Sequence, residues 1–217
     1  SGAKERILDA AVSLFNGKGY AGTSVREIAK KADLNIALIS YYFKGKKGLL
    51  EHLMSTFFEE YNEKLEQAYQ FTDTRSAREC MHMAIVQLLT YQQDNHQLAR
   101  FVHRETTLDT MLVREIMTIY LRKEKFCWNK LIEKGVEKGE FKRQATDFTI
   151  MQLKGMIIMP FMNPQYLQEI FQLSPSDAHF NKRYAAYLTN WVDQHICHPS
   201  KEISEKGTPL YRFTAVP

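Results

Sequence analysis

Two short stretches of the sequence contain residue types that could do chemistry. Residues 17–22 (GKGYAG) have the glycine spacing of a loop that holds the phosphates of a dinucleotide. That spacing indicates dinucleotide binding only where it follows a strand and opens a helix, and here it follows an amphipathic helical pattern. His195 and His198 flank Cys197 and could hold a metal, but no second cluster supplies the remaining ligands. We therefore expect neither a bound cofactor nor a metal site.

The sequence also lacks the motifs of common enzymes. It contains no G-x-S-x-G, no H-E-x-x-H and no phosphate-binding P-loop. His103, Arg104 and Glu105 lie within a helical pattern, where pairing with neighbouring side chains is the ordinary explanation for such a group. The alternative is a role in binding a partner or in the polar floor of a pocket. We expect no enzyme activity. The partner or pocket candidates are Arg100, His103, Arg104, Arg114 and Glu115.

Positive charge is concentrated at the start of the chain. The 217 residues carry a formal net charge of +4, but residues 1–50 alone hold nine Lys and Arg against four Asp and Glu, a net of +5. The remaining residues hold 20 against 21, a net of −1. A basic first quarter is expected of a segment that faces a polyanion such as DNA, although a solvated basic surface would have the same composition.

Helical periodicity dominates the sequence, and three short helices precede a long one. A first amphipathic helix covers residues 4–16. Ser24 and Glu27 form a capping box that opens a short second helix. A third short helix covers residues 36–43, and a basic turn then leads into a long helix over about residues 46–69. A second and third helix joined by only a few residues are typical of a helix-turn-helix.

Three sequence motifs in this region lie in one register: ILDAAVSLF in the first helix, TSVREIA in the second, and YYFKGK before LL at the end of the third. Over about residues 5 to 53 they resemble the DNA-binding domain of tetracycline-repressor-type (TetR family) regulators. The resemblance implies an all-α protein with an N-terminal three-helix helix-turn-helix domain. It also implies a larger C-terminal helical domain for ligand binding and dimerisation, and binding to double-stranded DNA as a homodimer.

The third helix fits the physical requirements of a helix that reads the major groove. Its outer side is narrow and lightly charged, and Ile39 and Phe43 are expected on its buried side. Ile36 and Leu38 are apolar, so they either touch thymine methyl groups or pack against the first helix. Arg26 matches, by the resemblance, a second-helix position that reaches a base. Base reading is therefore expected from few residues.

Contacts to the DNA backbone are expected around this helix. Thr23 and Ser24 lie at a helix N-terminus, whose free N–H groups and dipole suit a phosphate. Tyr42 and Lys46 are expected to face the phosphates from the other end. The full predicted set of DNA-binding residues is Thr23, Ser24, Arg26, Ile36, Ala37, Leu38, Ser40, Tyr41, Tyr42 and Lys46.

The chain is expected to divide into three parts. We assign the helix-turn-helix domain to residues 3–50, linked by the long helix to a C-terminal regulatory and dimerisation domain over residues 70–198. Residues 199–217 form a polar tail with an apolar finish, which we expect to be poorly ordered unless it docks. Within the larger domain, Gly135 and Gly139 are expected to break the helix over residues 110–138, and Pro160 and Pro164 to end the helix over residues 144–162.

A helix over residues 144–162 is predicted to lie at a dimer interface. From residue 150 onward it is apolar nearly all round, except for Gln152 and Lys154. Such a helix has to be buried on every side, against its own domain and a second chain. By the resemblance, it forms a four-helix dimer interface together with the helix over residues 177–197. The interface candidates are Ile150, Met151, Ile157, Ile158, Tyr184, Tyr187, Leu188 and Trp191.

Two hypotheses describe what the larger domain does. Eight of the nine methionines lie between Met81 and Met162, and such residues either line an adaptable pocket or fill a helical core irregularly. The first hypothesis is a transcriptional repressor released by a small apolar ligand. The second is a DNA-anchored structural or regulatory protein that acts through a protein partner. A pocket would favour the first hypothesis, and an exposed charged surface around Arg100, Arg104 and Arg114 would favour the second.

The second hypothesis is motivated by a further resemblance. The runs ISYYFKGKKGLLEHL and RFVHRETTLDTMLVREIM are similar to chromosome-capture DNA-binding regulators of sporulating bacilli. This resemblance implies a regulator of chromosome positioning and cell division during sporulation that acts through a cell-division protein. Neither hypothesis requires a membrane, because the longest apolar stretch, residues 156–162, is far shorter than the ~20 residues that a bilayer span needs. Three isolated cysteines and the lack of a secretory signal pattern fit a cytoplasmic, nucleoid-associated protein.

Overall fold

The computed structural model describes residues 2–199, so most of the predicted tail lies outside the described residues. In this part of the chain the helices are α1 (Ala3–Lys18), α2 (Val25–Ala32), α3 (Ala37–Phe43), α4 (Lys46–Gln70), α5 (Ala77–Asp94), α6 (His96–Leu108), α7 (Met111–Glu137), α8 (Thr146–Met162), α9 (Pro164–Phe171) and α10 (Ala178–His195). Residues 2–199 contain no β-strand, only an isolated antiparallel bridge between Phe141 and Cys197. The predicted all-α fold is confirmed.

Short polar residues set where the helices begin. Ser24 and Glu27 form the predicted capping box, in which Glu27 N–H donates to Ser24 Oγ at 3.2 Å and Ser24 N–H donates to the Glu27 carboxylate at 2.9 Å. The same reciprocal pair, Ser76 and Glu79, opens α5. These bonds satisfy backbone N–H groups that have no partner inside the helix. The helix starts therefore follow from local sequence.

Two of the four residues expected to interrupt helices lie inside them, although α7 ends at Glu137, two residues before Gly139, and α8 ends at Met162, two residues before Pro164. Gly135 lies inside α7, and the Phe141 ring packs against it so closely that a Cβ there would be 2.0 Å from Phe141 Cδ2. Pro160 lies inside α8, where the missing N–H leaves the carbonyl oxygen of Met156 without its helical donor. The Tyr184 hydroxyl of α10 donates to that oxygen at 2.8 Å. In both places a tertiary contact offsets the local cost.

The helices surround one continuous apolar core. α4 packs along α5 and α7, α10 covers α5, and α6 contacts α1, α4 and α8. Buried side chains run without a gap from Ile7 in α1 to Cys197 after α10. Because the core continues across residue 50, the pattern of buried residues does not mark a domain boundary there. The boundary predicted from the sequence stays a prediction.

Among the described helices, none combines the length and the apolar character that crossing a bilayer would take.

Candidate nucleic-acid interface

The turn between α2 and α3 holds α3 against the first two helices. Asp33 ends α2 in the left-handed conformation, with a φ of 52°. The Asn35 side chain then accepts a hydrogen bond from the Ala37 N–H at 2.8 Å, at the start of α3. Ile39 and Phe43 anchor the helix, with 1% and 5% of their surfaces exposed. Both were expected on its buried side, and they leave the opposite side of α3 to solvent.

The exposed side of α3 carries aromatic, small and hydroxyl groups and no charge. Tyr41 is 78% exposed, and its ring meets that of Tyr42 edge to face, with centroids 5.0 Å apart. Ala37 and Ser40 are exposed as expected, as is Ile36 at the N-terminal end. Leu38, which was expected with them, is half-buried against the core. This surface can offer methyl, hydroxyl and aromatic contacts to base edges.

Arg26 lies exposed in the first turn of α2, and its neighbours have other partners. Glu27 accepts a hydrogen bond from Lys18 Nζ at 2.5 Å, and this bond, with those from Ser24, lowers the pKa of Glu27 to about 2. Asp33 pairs with Arg6 at 3.4 Å. Both carboxylates that could have neutralised Arg26 on the surface are thus engaged elsewhere. Among the described residues, no side chain forms an ion pair with Arg26.

The two residues at the start of α2 use their hydroxyl groups within the protein. Thr23 is 2% exposed, and its hydroxyl donates to the carbonyl oxygen of Gly19 at 2.8 Å. The Ser24 hydroxyl donates to the Glu27 carboxylate. A phosphate at this position would therefore be held by backbone N–H groups and the helix dipole rather than by these side chains.

Lys46 has partners that its sequence position did not indicate. Its ammonium donates to the carbonyl oxygens of Tyr20 and Thr23, at 3.0 and 2.9 Å, and lies 4.4 Å from the centre of the Tyr20 ring. These contacts tie the first turn of α4 to the loop between α1 and α2. Only one of the three ammonium protons remains for a phosphate.

Gly48 allows α3 and α4 to meet, and sequence reasoning missed it. A Cβ at this position would lie 1.8 Å from the carbonyl oxygen of Phe43, the last residue of α3. Glycine is the residue that permits such a close backbone approach. The sequence signal for this close approach is the second glycine of the basic turn over residues 44–48, a turn interpreted above by the charge of its lysines alone.

Only part of the predicted partner or pocket group reaches the surface. His103 is 6% exposed, its Nε2 lies 2.6 Å from Gln92 Oε1, and burial lowers its pKa to about 3. The Arg104 guanidinium donates to carbonyl oxygens at the end of α1. Arg114 and Glu115 are exposed, and Arg114 pairs with Asp109. Of the charged surface expected around Arg100, Arg104, Arg114 and Glu115, the last two are exposed and the first two are half-buried, and its role stays a prediction.

The centre of the larger helical region contains a buried ion pair. Lys154 Nζ lies 2.6 Å from the carboxylate of Glu124, which is 3% exposed. The one signal for it was a lysine in the otherwise apolar α8.

Four of the eight methionines in this region are not in the interior at all: Met111, Met151, Met159 and Met162 are exposed. A pocket lined by all these methionines is therefore excluded.

α8 has two apolar faces, and the structure separates them. Ile150 and Ile157 of α8, and Leu188 of α10, lie in the core of their own chain, so their assignment to the dimer interface is wrong. Ile158, Tyr184 and Trp191 are half-buried. Met151 and Tyr187, in contrast, are 67% and 65% exposed. An exposed stripe follows one side of α8: Phe148, Met151, Gly155, Met159 and Met162. The periodicity of the sequence does not indicate which of the two apolar faces of α8 is buried within its own chain.

Comparisons with known proteins point to one family. Residues 7–53 match the family described as bacterial regulatory proteins, tetR family. A probable HTH-type transcriptional regulator of Bacillus subtilis, YttP, is 46% identical over 189 residues, which cover 87% of this chain and 91% of the relative. The negative transcriptional regulator IcaR of the icaADBC biofilm operon in Staphylococcus aureus is 37% identical over 59 residues, 27% of this chain and 32% of its own.

Among solved structures, the chain is similar to the TetR family transcriptional regulator PfmR from Thermus thermophilus. The TM-score is 0.73 at 17% identity, and the match covers 88% of this chain and 98% of that one. At this identity the likeness concerns the fold, and it extends over the helix-turn-helix and the larger helical region together.

Proposed function

The chain belongs to the tetR family of bacterial regulatory proteins, and we propose that it works as a homodimer that represses transcription from near-palindromic sites in DNA. Its family makes it a DNA-binding transcriptional regulator and not an enzyme. The single observation that carries the proposal is an exposed, uncharged side of α3 together with an exposed Arg26 in α2 that has no ion-pair partner among the described residues. A repressor rather than an activator is proposed because one relative, IcaR, is named a negative regulator.

Base reading is assigned to few side chains. Tyr41 and Ser40 can donate or accept hydrogen bonds, and Ile36 and Ala37 can touch thymine methyl groups. Arg26 supplies the cationic fork that matches the paired acceptors of guanine. Because Leu38 is half-buried and the hydroxyl groups of Thr23 and Ser24 are bonded within the protein, base contacts are assigned to Arg26, Ile36, Ala37, Ser40 and Tyr41.

Arg26→Ala is expected to cost about 1–3 kcal/mol on the specific site and to relax the preference at one base pair in each half-site. The reason is that the carboxylates beside its guanidinium are engaged elsewhere and that it reaches outward from the first turn of α2. Affinity for the specific site and for random duplex, at one salt concentration, measures the effect.

Lys31→Ala is the matched control for this substitution, because it removes the same charge from another exposed side of α2. It is expected to change both affinities by the same small factor. If Arg26→Ala also left the ratio of specific to random binding unchanged, Arg26 would not read a base.

The homodimer is proposed from the exposed stripe on α8. A row of apolar side chains around Gly155, where a Cβ would meet no atom within 4 Å, leaves room for a second helix to cross closely. Two copies related by a two-fold axis present two α3 helices, and recognition helices of such dimers read half-sites about 34 Å apart, one turn of the duplex.

A second candidate function is a DNA-anchored regulator of chromosome positioning and cell division that acts in the nucleoid through a protein partner. The observation that favours it is an exposed patch at the turn between α6 and α7, where Leu108 and Met111 are 60% and 77% exposed beside Arg114 and Glu115. A small apolar ligand has less support, because the interior holds His103 bonded to Gln92, whose side-chain amide donates to the Ile157 carbonyl oxygen of α8.

The proposed function is tested by selecting bound duplexes from random-sequence DNA and by mapping binding sites on the chromosome. We expect one near-palindromic motif, called the selected site below, next to regulated genes. Sites scattered over the chromosome in one fixed orientation would support the second candidate. Failure to enrich any motif would contradict both.

A further inference from the structure

The C-terminal end of α1 is bound by a side chain of α6. The Arg104 guanidinium donates one hydrogen bond to the carbonyl oxygen of Asn16, at 2.9 Å, and a second to that of Phe15. The last carbonyls of a helix have no partner within the helix and carry partial negative charge, so a cation there is stabilising. Arg104 therefore caps α1 from a distant part of the chain.

Two uncharged contacts surround this cap. The side-chain amide of Asn16 donates to the backbone carbonyl oxygen of Gln97 at 2.8 Å. The rings of Phe15 and Phe101 stack with centroids 5.1 Å apart, and both side chains are fully buried. We call these five residues, Phe15, Asn16, Gln97, Phe101 and Arg104, the α1–α6 joint.

The joint gives the DNA-binding helices an attachment to the larger region besides the chain connection from α3 into α4. A group of helices attached at two separate points keeps its orientation, whereas a group attached at one point can rotate. α1 has 16 residues and is about 24 Å long, so a tilt of about 10° at the joint moves its other end by about 4 Å. That shift exceeds one base-pair step, which is about 3.4 Å along the duplex.

We propose that Arg104 is a positioning residue that sets the spacing between the two half-sites without touching DNA. Its hydrogen bonds fix the orientation of α1, and α1 carries α2 and α3 with it through their shared core. This proposal rests on the proposed function, because a spacing exists only for a dimer that reads two half-sites. It gives Arg104 a role inside the protein in place of the predicted contact with a partner or a pocket.

The test uses duplexes in which the two half-sites of the selected site are moved apart or together by one or two base pairs. Wild-type protein is expected to bind one spacing at least about tenfold better than a spacing shifted by two base pairs. For Arg104→Ala, affinity at the best spacing falls about tenfold and the preference falls below about threefold. The substitution removes two charge-assisted hydrogen bonds and leaves the buried Glu105 carboxylate, 3.7 Å from the guanidinium, without this cation. Arg104→Lys retains a cation that can bind one of the two carbonyl oxygens, so its spacing preference is expected to lie between those of wild type and Arg104→Ala.

Two further variants make the result specific. Arg114→Ala removes the same charge from an exposed guanidinium that pairs with Asp109, and it is expected to keep the wild-type spacing profile. Asn16→Ala weakens the joint from the side of α1 without a change in charge, and it is expected to flatten the profile as well.

A wild-type spacing profile in folded Arg104→Ala overturns the proposal. The proposal is also overturned if the slope of log affinity against log salt is about one unit shallower for Arg104→Ala than for Arg114→Ala, since this would place Arg104 on a phosphate. If Arg104→Ala does not fold, Arg104→Lys decides, and a wild-type spacing profile in that variant overturns the proposal. Wild-type protein with no preferred spacing would refute the proposed function and, with it, the role of Arg104.

Discussion

Met151→Asp is expected to convert the dimer to a monomer and to lower affinity for the selected site by about 100-fold or more. Met151 is 67% exposed in the middle of the α8 stripe, so its own chain loses little when it is replaced. In a two-fold interface the same surface meets itself, and two carboxylates would be brought together and removed from water. A monomer also loses the gain in effective concentration that comes from binding two linked half-sites.

Sedimentation at micromolar concentration and titration of the selected site measure the two parts of this result. Met111→Asp is the matched control, because Met111 is 77% exposed at the first position of α7 and is not part of the α8 stripe. An acidic residue is favourable in a first helical turn, so this variant is expected to stay dimeric and to bind DNA normally. If Met151→Asp remained a dimer with wild-type affinity, α8 would not form the interface.

Gly48→Ala is expected to destabilise the protein by about 1–3 kcal/mol and to reduce sequence-specific binding by about tenfold or more. The added Cβ would lie 1.8 Å from the carbonyl oxygen of Phe43, so α3 and α4 have to move apart. A backbone oxygen at the end of a short helix cannot yield as a flexible side chain can. The displaced helix is the one whose exposed side is proposed to read the bases.

Gly17→Ala separates this steric effect from the general effect of replacing a glycine. Gly17 lies in α1, and a Cβ there would meet no atom within 4 Å, so alanine is expected to stabilise the protein by about 0.5–1 kcal/mol. Urea unfolding and titration of the selected site compare the two variants. Equal stability and equal specificity in both would contradict the close approach of α3 and α4.

Local signals in the sequence were sufficient for the helices that carry the DNA-binding surface. Ser24 and Glu27 cap α2 as predicted, and Ile39 and Phe43 hold α3 from its buried side. These features depend on contacts within a few residues or on one-sided apolar periodicity. For the same reason the exposed positions of α3 could be named, apart from Leu38.

Features that depend on contacts between distant segments could not be predicted. Pro160 does not end α8, because a hydroxyl from Tyr184 serves the carbonyl that proline leaves unpaired. Lys46 and Arg104 resemble surface cations in the sequence, yet each donates to carbonyl oxygens at least 23 positions away. The nearly all-apolar α8 indicated burial on two sides but not which side faces a second chain.

The most direct test of a dimer that reads a near-palindrome compares the selected site with the same duplex in which one half-site is scrambled. Equilibrium titration at one salt concentration gives both affinities. We expect scrambling to lower affinity by about 100-fold or more, since the second α3 then has only non-specific contacts to offer. Equal affinity for the intact and the half-scrambled duplex would contradict the account, because one chain would then suffice for recognition.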